Sequence, residues 1–452
     1  MRYYHHATSM AGQQARRMLQ KRAYGSNTLC SKPSFSVYIH WPYCESKCTY
    51  CNFNKYVNPK DPPHDRLVKA MTTELEYFLN DPRYGLKDRK VHSVYFGGGT
   101  PSLAKPSAIH AILETIRKQV GLADDTEISM EANPTSIEQS KLKQFKQAGV
   151  NRLSLGIQSL NTHDLKMLGR DHTGEEALKA LSVAKDIFHK ERVTFDLIYA
   201  RPGQTTRDWE RELQQALDIA GDHLSMYQLT VERSTPLHKQ SLKGLLPSMP
   251  DPDSAADMYE ATVRIAADYG YHHYEVSSYA KRQQAISRHN FSYWQGMDFL
   301  GIGPGAHGRL TDIHENQRVR TFGEFHPDKY MALCEAEGEG IRKIQPISMH
   351  DMAEELIVFG MRTRMGIPRS RFSKMTGGAV LDQVIDTEAL KLFMEANLLV
   401  QEDAMTNDLS CFVPQELLYE WESGGGIRPT EAGLERIDYI LPRLLKVKSI
   451  KD

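Results

Sequence analysis

The sequence predicts an α/β fold: a partial (β/α)6 barrel followed by a C-terminal, mainly helical, winged-helix-like domain. Three observations predict it. Six short apolar strands, alternating with helical patterns, succeed one another between Ser36 and Leu229. The chemically unusual residues follow the strands, which is where a parallel β/α barrel keeps its chemistry. Beyond Leu246 the pattern changes, and from about Met349 helices dominate. Six units rather than eight predict an open-sided barrel, which suits a large substrate.

Each element has its own signal. Ser36–Ile39 reads as a strand leading into a cysteine loop, and Asp65–Leu79 as a helix with Leu67, Met71, Leu75 and Phe78 on one face. Val91–Phe96 is a strand ending in Gly97-Gly98-Gly99-Thr100-Pro101, and Ile109–Val120 is a helix. Glu127–Glu131 is a strand ending in Ala132-Asn133-Pro134, followed by a helix over Ile137–Ala148. Arg152–Ile157 ends at Gln158 and precedes a helix over Glu175–Phe188. Arg192–Tyr199 ends in Arg201-Pro202-Gly203-Gln204, then come a helix over Arg207–Ala220 and a sixth strand over His223–Leu229.

Pro247, Pro250 and Pro252 mark a linker. A helix is expected over Ala255–Tyr269 and a strand over Tyr271–Tyr279, then His289-Asn290-Phe291-Ser292-Tyr293-Trp294 and a glycine-rich run, Leu300–Gly308. Helices over Met349–Thr363, Leu381–Asn397 and Thr430–Leu445, with Leu398–Gln401 and Ser410–Val413 as a small hairpin, give the C-terminal part its winged-helix-like pattern. A plain helical cap over the open barrel fits that pattern equally well. The expected divisions are 33–246 for the barrel, 247–345 for its extension and 346–452 for the C-terminal domain.

With 40% hydrophobic residues, a chain of 452 can bury a large core, and a net charge of −1 gives no electrostatic footprint for nucleic acid. No apolar run approaches the roughly 20 residues of a transmembrane helix, so no membrane span is expected. Peripheral membrane contact and oligomeric state are left open. The N-terminus differs from the rest: no Asp or Glu precedes Glu45, while Arg2, Arg16, Arg17, Lys21 and Arg22 are interleaved with Ala, Met, Leu, Gln and Ser. That composition predicts a mitochondrial presequence over residues 1–24, with a basic tail as the alternative.

Cys44, Cys48 and Cys51 lie in an aromatic loop with the spacing C-x-x-x-C-x-x-C. Three thiolates can hold three irons of a [4Fe–4S] cluster and leave the fourth open, as a catalytic zinc keeps a free position for a reactant. The natural occupant of that position is S-adenosylmethionine (SAM). The competing reading is a structural zinc site, with His40 or Cys30 as fourth ligand. Zinc sites usually pair a C-x-x-C with a second, distant pair, and the remaining cysteines, Cys30, Cys334 and Cys411, are scattered singly. Six cysteines in so long a chain also give no disulfide framework.

The glycines after the second strand let backbone approach a ligand closely. Glu131, Gln158, Arg170 and Asp196 fall at or just past strand ends, where carboxylates can bind ribose hydroxyls and Arg170 a carboxylate. Gly301–Gly308 reads equally as an adenine-facing segment or a bulged hairpin. His289, with Tyr293 and Trp294, offers an iron ligand and flat apolar surface for a porphyrin, although a core histidine is the commoner reading.

The cysteine loop, the glycine run after the second strand and the His-Asn-x-x-Tyr-Trp segment together resemble the coproporphyrinogen-dehydrogenase-like branch of the radical SAM superfamily, from about Ser36 to Gly308. The resemblance implies cluster ligands at Cys44, Cys48 and Cys51, and SAM contacts at Tyr38, Tyr50, Gly98, Gly99, Thr100, Glu131, Gln158, Arg170 and Asp196. That branch holds oxygen-independent coproporphyrinogen III dehydrogenases and haem chaperones. The dehydrogenases carry a fourth cysteine two positions after the third; here that position is Phe53. The resemblance therefore implies a haem chaperone carrying a [4Fe–4S] cluster and exchangeable SAM, with His289 the candidate haem ligand, delivering haem to acceptor haemoproteins. The dehydrogenase is the alternative. A second departure, Ala200-Arg201 in place of the family's usual Gly-Leu, places a cation near the expected site.

Overall fold

A computed structural model describes residues 33–57, 62–135, 138, 140–404, 413 and 415–445. The expected presequence, and the second strand of the expected hairpin up to Phe412, lie outside the described residues. The described residues from Ser34 onward form one compact unit.

Six parallel strands follow one another in sequence order across the sheet: β1 (Phe35–Trp41), β2 (Val91–Gly98), β3 (Glu127–Ala132), β4 (Arg152–Gln158), β5 (Val193–Tyr199) and β6 (His223–Gln228). Helices α1 (His64–Asn80), α2 (Pro106–Val120), α3 (Leu142–Ala148), α4 (Gly174–Phe188) and α5 (Thr206–Ile219) connect them. Two of these helices start at side-chain caps: Thr173 and Glu176 form a capping box on α4, and the Thr205 hydroxyl accepts from the Asp208 amide on α5.

The strands alternate in a way that fixes the site. Val37, Ile39, Val94, Phe96, Met130, Leu153, Leu155, Phe195, Leu197 and Leu224 are fully buried in the core that the helices cover. The residues between them face the barrel interior and are mostly polar. Neighbouring strands bring them into layers, with Ser36 beside Ser93, Tyr38 beside Tyr95, Glu131 beside Ser154, and Asp196 beside Ser225. Period-2 alternation thus gives an apolar outside and a polar bore, unlike the branched-apolar packing usual inside a closed β/α barrel.

Beyond β6 come α6 (Pro252–Asp268), a hairpin of β7 (His272–Glu275) and β8 (Ser278–Ala280), and α7 (Arg288–Trp294). The single strand expected over Tyr271–Tyr279 is therefore two strands, which reverse at Val276-Ser277 and extend the sheet antiparallel to β6. On the other side, β9 (Asp298–Ile302) runs parallel to β1, and β10 (His307–Asp312), β11 (Gln317–Gly323) and β12 (Ile341–Pro346) follow as an antiparallel meander. The twelve-stranded sheet is open, with β12 at one edge and β7 at the other. The glycine-rich run is the tight β9–β10 hairpin. Helix α8 (Pro327–Glu337) packs on α1.

The C-terminal part is mainly helical, beginning with α9 (Met349–Met361), around a three-stranded sheet of β13 (Ile367–Pro368), β14 (Leu399–Glu402) and β15 (Gly426–Pro429). Strand β14 pairs with β15, Leu399 facing Pro429 and Glu402 facing Gly426. The expected helix Leu381–Asn397 divides into Leu381–Val384 and Thr387–Glu395, because Asp386 caps a new start. Thr430–Leu445 likewise divides into Glu431–Glu435 and Ile437–Leu444.

Candidate functional site

The cysteine loop leaves the C-terminal end of β1 and is pinned from several sides. Tyr43–Cys44 forms a short parallel ladder with Tyr56–Val57. The Thr49 amide donates to Leu168 O (3.0 Å), and Thr49 O accepts from the Leu237 amide (2.8 Å). Asn54 closes the loop: its Nδ2 donates to Pro304 O (3.1 Å) and Phe325 O (3.0 Å), and its carbonyl accepts from His40 Nε2 (2.8 Å). The β9–β10 hairpin therefore braces this loop; a Cβ on Gly305 would lie 2.3 Å from Asn54 Nδ2.

Beside the loop, at the C-terminal ends of the strands, lies a cavity of about 480 Å³. Eleven of the thirteen residues singled out in the sequence line it: Cys44, Cys48, Cys51, Tyr50, Gly98, Gly99, Thr100, Glu131, Gln158, Arg170 and Asp196. Gly98 has φ +105°, and a Cβ on Gly99 would lie 2.7 Å from Tyr43 O and 2.8 Å from Trp41 O. Glycine is needed here first because the second strand end packs flat against the cysteine loop. Gln158 takes a left-handed backbone, φ +69°, which directs the chain end of β4 along the cavity wall.

The polar groups are strongly perturbed. Burial pushes the Glu131 carboxyl up to about 7, against a 2.9 Å hydrogen bond from Tyr95 and with help from the Asp196 charge. Burial likewise brings Asp196 to about 7, opposed by Ser225 and Arg170. Arg170 is half-buried in the cavity wall, and against its desolvation Tyr50 and Cys48 hold its positive charge. Its Nη1 lies 3.3 Å from Cys48 Sγ, and its Nη2 donates to Asn133 Oδ1 (2.6 Å) and Gly156 O (2.7 Å). Burial raises the Cys44 thiol to about 11, opposed by the Thr100 hydroxyl 3.6 Å from its sulfur.

These features fit an iron–sulfur cluster better than one metal ion. Among the described residues, no group of three or more His, Cys, Asp or Glu side chains is gathered tightly enough to hold a single ion. The cysteines instead stand around one end of a roomy cavity, with a guanidinium and a hydroxyl directed at two sulfurs. Arg170 Nε is buried without a partner, a donor left for a ligand.

Two predicted residues are elsewhere. Tyr38 lies in the bore below the cavity, its hydroxyl 3.3 Å from His40 Nδ1. His289 is 1% exposed at the bottom of the bore, with Nδ1 on Ser93 Oγ (3.0 Å) and Nε2 on the Tyr293 hydroxyl (2.7 Å). Burial lowers its pKa to about 3, so the ring is neutral. Neither nitrogen is available to an iron in this conformation. The expected cation at Arg201 is also absent from the cavity. Arg201 is 2% exposed and ion-paired inside the wall with Glu212 and with Asp164 (2.8 Å). The glycine-rich run Gly301–Gly308 packs on the cysteine loop rather than lining the cavity.

Tyr95, Asn133 and Tyr227 also shape the site and were not singled out in the sequence. The alternation within the strands carried that information: Ser-x-Tyr-x-Gly in β2, Glu-x-Ser-x-Glu in β3 and Thr-x-Asp in β5 put a polar residue inward at every second position.

An open parallel barrel with three cysteines after its first strand and carboxylates at its later strand ends defines a radical SAM protein. The sequence profile of the radical SAM superfamily matches residues 38–216. A Danio rerio protein named "Radical S-adenosyl methionine domain-containing protein 1, mitochondrial" is 37% identical over 413 residues, covering 91% of this chain and 86% of the relative. The chain belongs to that family within the radical SAM superfamily, and membership implies a [4Fe–4S] cluster and SAM as cofactors. "Heme chaperone HemW" of Escherichia coli is 35% identical over 345 residues, covering 76% of this chain and 87% of the relative. Coproporphyrinogen III oxidase (HemN) from Escherichia coli superposes with a TM-score of 0.71 at 20% identity, covering 91% and 90% of the two chains, which shows a shared fold.

Proposed function

We propose that the chain is a mitochondrial haem chaperone: it binds haem and passes it to acceptor haemoproteins, with a cluster and SAM resident in the barrel. The observation that carries the reading is kinship with HemW proteins across three quarters of the chain, joined to Phe53 at the position where the dehydrogenases carry a fourth cysteine. Phe53 is 65% exposed and lines the cavity, so an apolar aromatic face meets whatever arrives there.

Cys44, Cys48 and Cys51 hold the cluster, and Arg170 and Thr100 steady two of the thiolates by hydrogen bonds. Of the cavity-lining residues, Glu131 and Asp196 would accept from the ribose hydroxyls of SAM, Gly98 and Gly99 would offer backbone to its methionine end, and Tyr50 would stand on its adenine side. When bound, the cluster and SAM supply one-electron chemistry; the protein orients them and excludes water. The name carried by the Danio rerio relative and the acid-free basic N-terminus support mitochondrial import. Removing residues 1–24 is expected to leave the protein in the cytosol with its cluster still assembled.

The test is anaerobic. Cluster-loaded protein is titrated with haemin and then offered coproporphyrinogen III, SAM and a reductant. Stoichiometric haem binding without conversion of coproporphyrinogen supports the proposal; anaerobic formation of protoporphyrinogen makes the dehydrogenase primary.

A further inference from the structure

Helix α7 carries the His-Asn-x-x-Tyr-Trp segment, and it closes the barrel from below. The bonds around His289 run in one consistent direction. The Tyr293 hydroxyl donates to Nε2 (2.7 Å), Nδ1–H donates to Ser93 Oγ (3.0 Å), and Ser93 donates to Ser36 Oγ (2.9 Å). Ser36 then donates to Ser292 Oγ (3.0 Å), and Ser292 donates back to His289 O (2.7 Å). The ring of bonds starts and ends at His289 and stitches α7 to the first two strands. It leaves the imidazole no lone pair for a metal.

Above the imidazole stands an aromatic stack. Tyr95 lies on it at 4.7 Å and 21°, and Tyr38 at 6.2 Å and 29°. The two tyrosines are themselves stacked at 6.2 Å. Their hydroxyls point to the working end of the barrel. Tyr95 donates to Glu131 Oε1 (2.9 Å), and Tyr38 meets His40, which grips Asn54 O at the end of the cysteine loop. The Glu131 carboxylate is held at the cavity floor by the Tyr95 hydroxyl together with the Gly98 backbone amide, and Tyr95 rests on His289.

We propose that His289 is a positioning residue for the SAM site, the base of a stack that sets Glu131 and the cysteine-loop return, and not an axial ligand of haem. This rests on family membership and on bonds within the chain, so it stands or falls separately from the chaperone reading.

The experiment uses full-length, cluster-reconstituted protein. SAM affinity is measured by equilibrium dialysis and by the SAM-induced change in the spectrum of the reduced cluster, and haem binding by the Soret band of added haemin. Tyr95→Phe removes only the hydroxyl on Glu131 and should weaken SAM binding about tenfold, the worth of one hydrogen bond to a charged group. His289→Ala should weaken it at least as much. His289→Phe restores a slab beneath Tyr95 without a ligating nitrogen; it should recover most of the SAM affinity and leave the haemin spectrum as in wild type. Wild-type SAM affinity in both Tyr95→Phe and His289→Ala would overturn the inference. So would loss of the haemin spectrum in His289→Phe with SAM binding intact, which would return the imidazole to the iron. Should His289→Ala fail to fold, Tyr95→Phe and His289→Phe decide.

Discussion

Arg201 offers the sharpest stability test, because its charge is buried in a wall rather than spent in the cavity. Its guanidinium is 2% exposed, beside Asp164 at 2.8 Å and Glu212, and it also donates to Ile198 O at 2.7 Å. Glu212 in turn accepts from Ser159 Oγ (2.6 Å) and the Leu160 amide (2.8 Å), so the pair ties β5, α5 and the turn after β4. At 2.8 Å and an effective dielectric constant of about 20, Coulomb attraction is about 6 kcal/mol for one such pair. Desolvation of each ion costs several kcal/mol, so the intact pair is near neutral against an apolar replacement. Removing one partner is different: Arg201→Leu strands the Glu212 carboxylate, and the expected loss is about 3–5 kcal/mol. Glu212→Gln should cost less, about 1–3 kcal/mol, since Arg201 keeps Asp164. The double variant should recover much of the loss, a coupling of about 1–3 kcal/mol in a double-mutant cycle. Urea unfolding of the cluster-free protein, followed by circular dichroism, measures all four. An Arg201→Leu loss below about 0.5 kcal/mol, or strictly additive losses in the double variant, would refute the reasoning.

Replacing Cys44, Cys48 and Cys51 by Ala should bleach the brown colour of anaerobically reconstituted protein without unfolding it, read by absorption and circular dichroism. Ala200 sits at φ +56°, so Ala200→Gly should raise stability by about 1 kcal/mol, seen as a higher urea midpoint. Asn54→Ala frees the return of the cysteine loop and should shorten the lifetime of the cluster in air several-fold, followed by the decay of its absorption. Glu131 and Asp196 carry folded-state pKa values raised to about 7. The stability each contributes is complete below its unfolded value, about 4, and drains away as pH rises through about 7. Glu131→Gln should flatten that slope in Tm against pH. SAM affinity should run the other way and grow between pH 6 and 8 as the carboxylates ionise.

The strand order and the cavity ends of the strands were legible because both follow from periodicity. Apolar runs alternating with amphipathic helices leave little choice but a parallel sheet, and a parallel sheet puts its loops, hence Cys44–Cys51 and Gly98–Thr100, at one end. What was illegible depends on contacts between residues far apart in the chain. Nothing local tells that Arg201 will find Asp164 and Glu212 inside the wall, or that His289 will find Ser93 across 196 positions. A histidine between aromatics looks the same in sequence whether it faces a ligand or a stack. The single strand expected over Tyr271–Tyr279 failed for a related reason: the reversal at Val276-Ser277 carries no glycine or proline to announce it.

The central claim is that this barrel hands on haem rather than making its precursor. The most direct measurement is anaerobic transfer of haem from the loaded protein to an apo-haemoprotein, followed by the absorption of the acceptor, with the intact cluster and with the Cys44, Cys48 and Cys51 to Ala variant. The account predicts stoichiometric transfer that depends on the cluster, with coproporphyrinogen III left unchanged in the same reaction. Formation of protoporphyrinogen, or an acceptor that stays empty beside a haem-loaded, cluster-loaded protein, would contradict it.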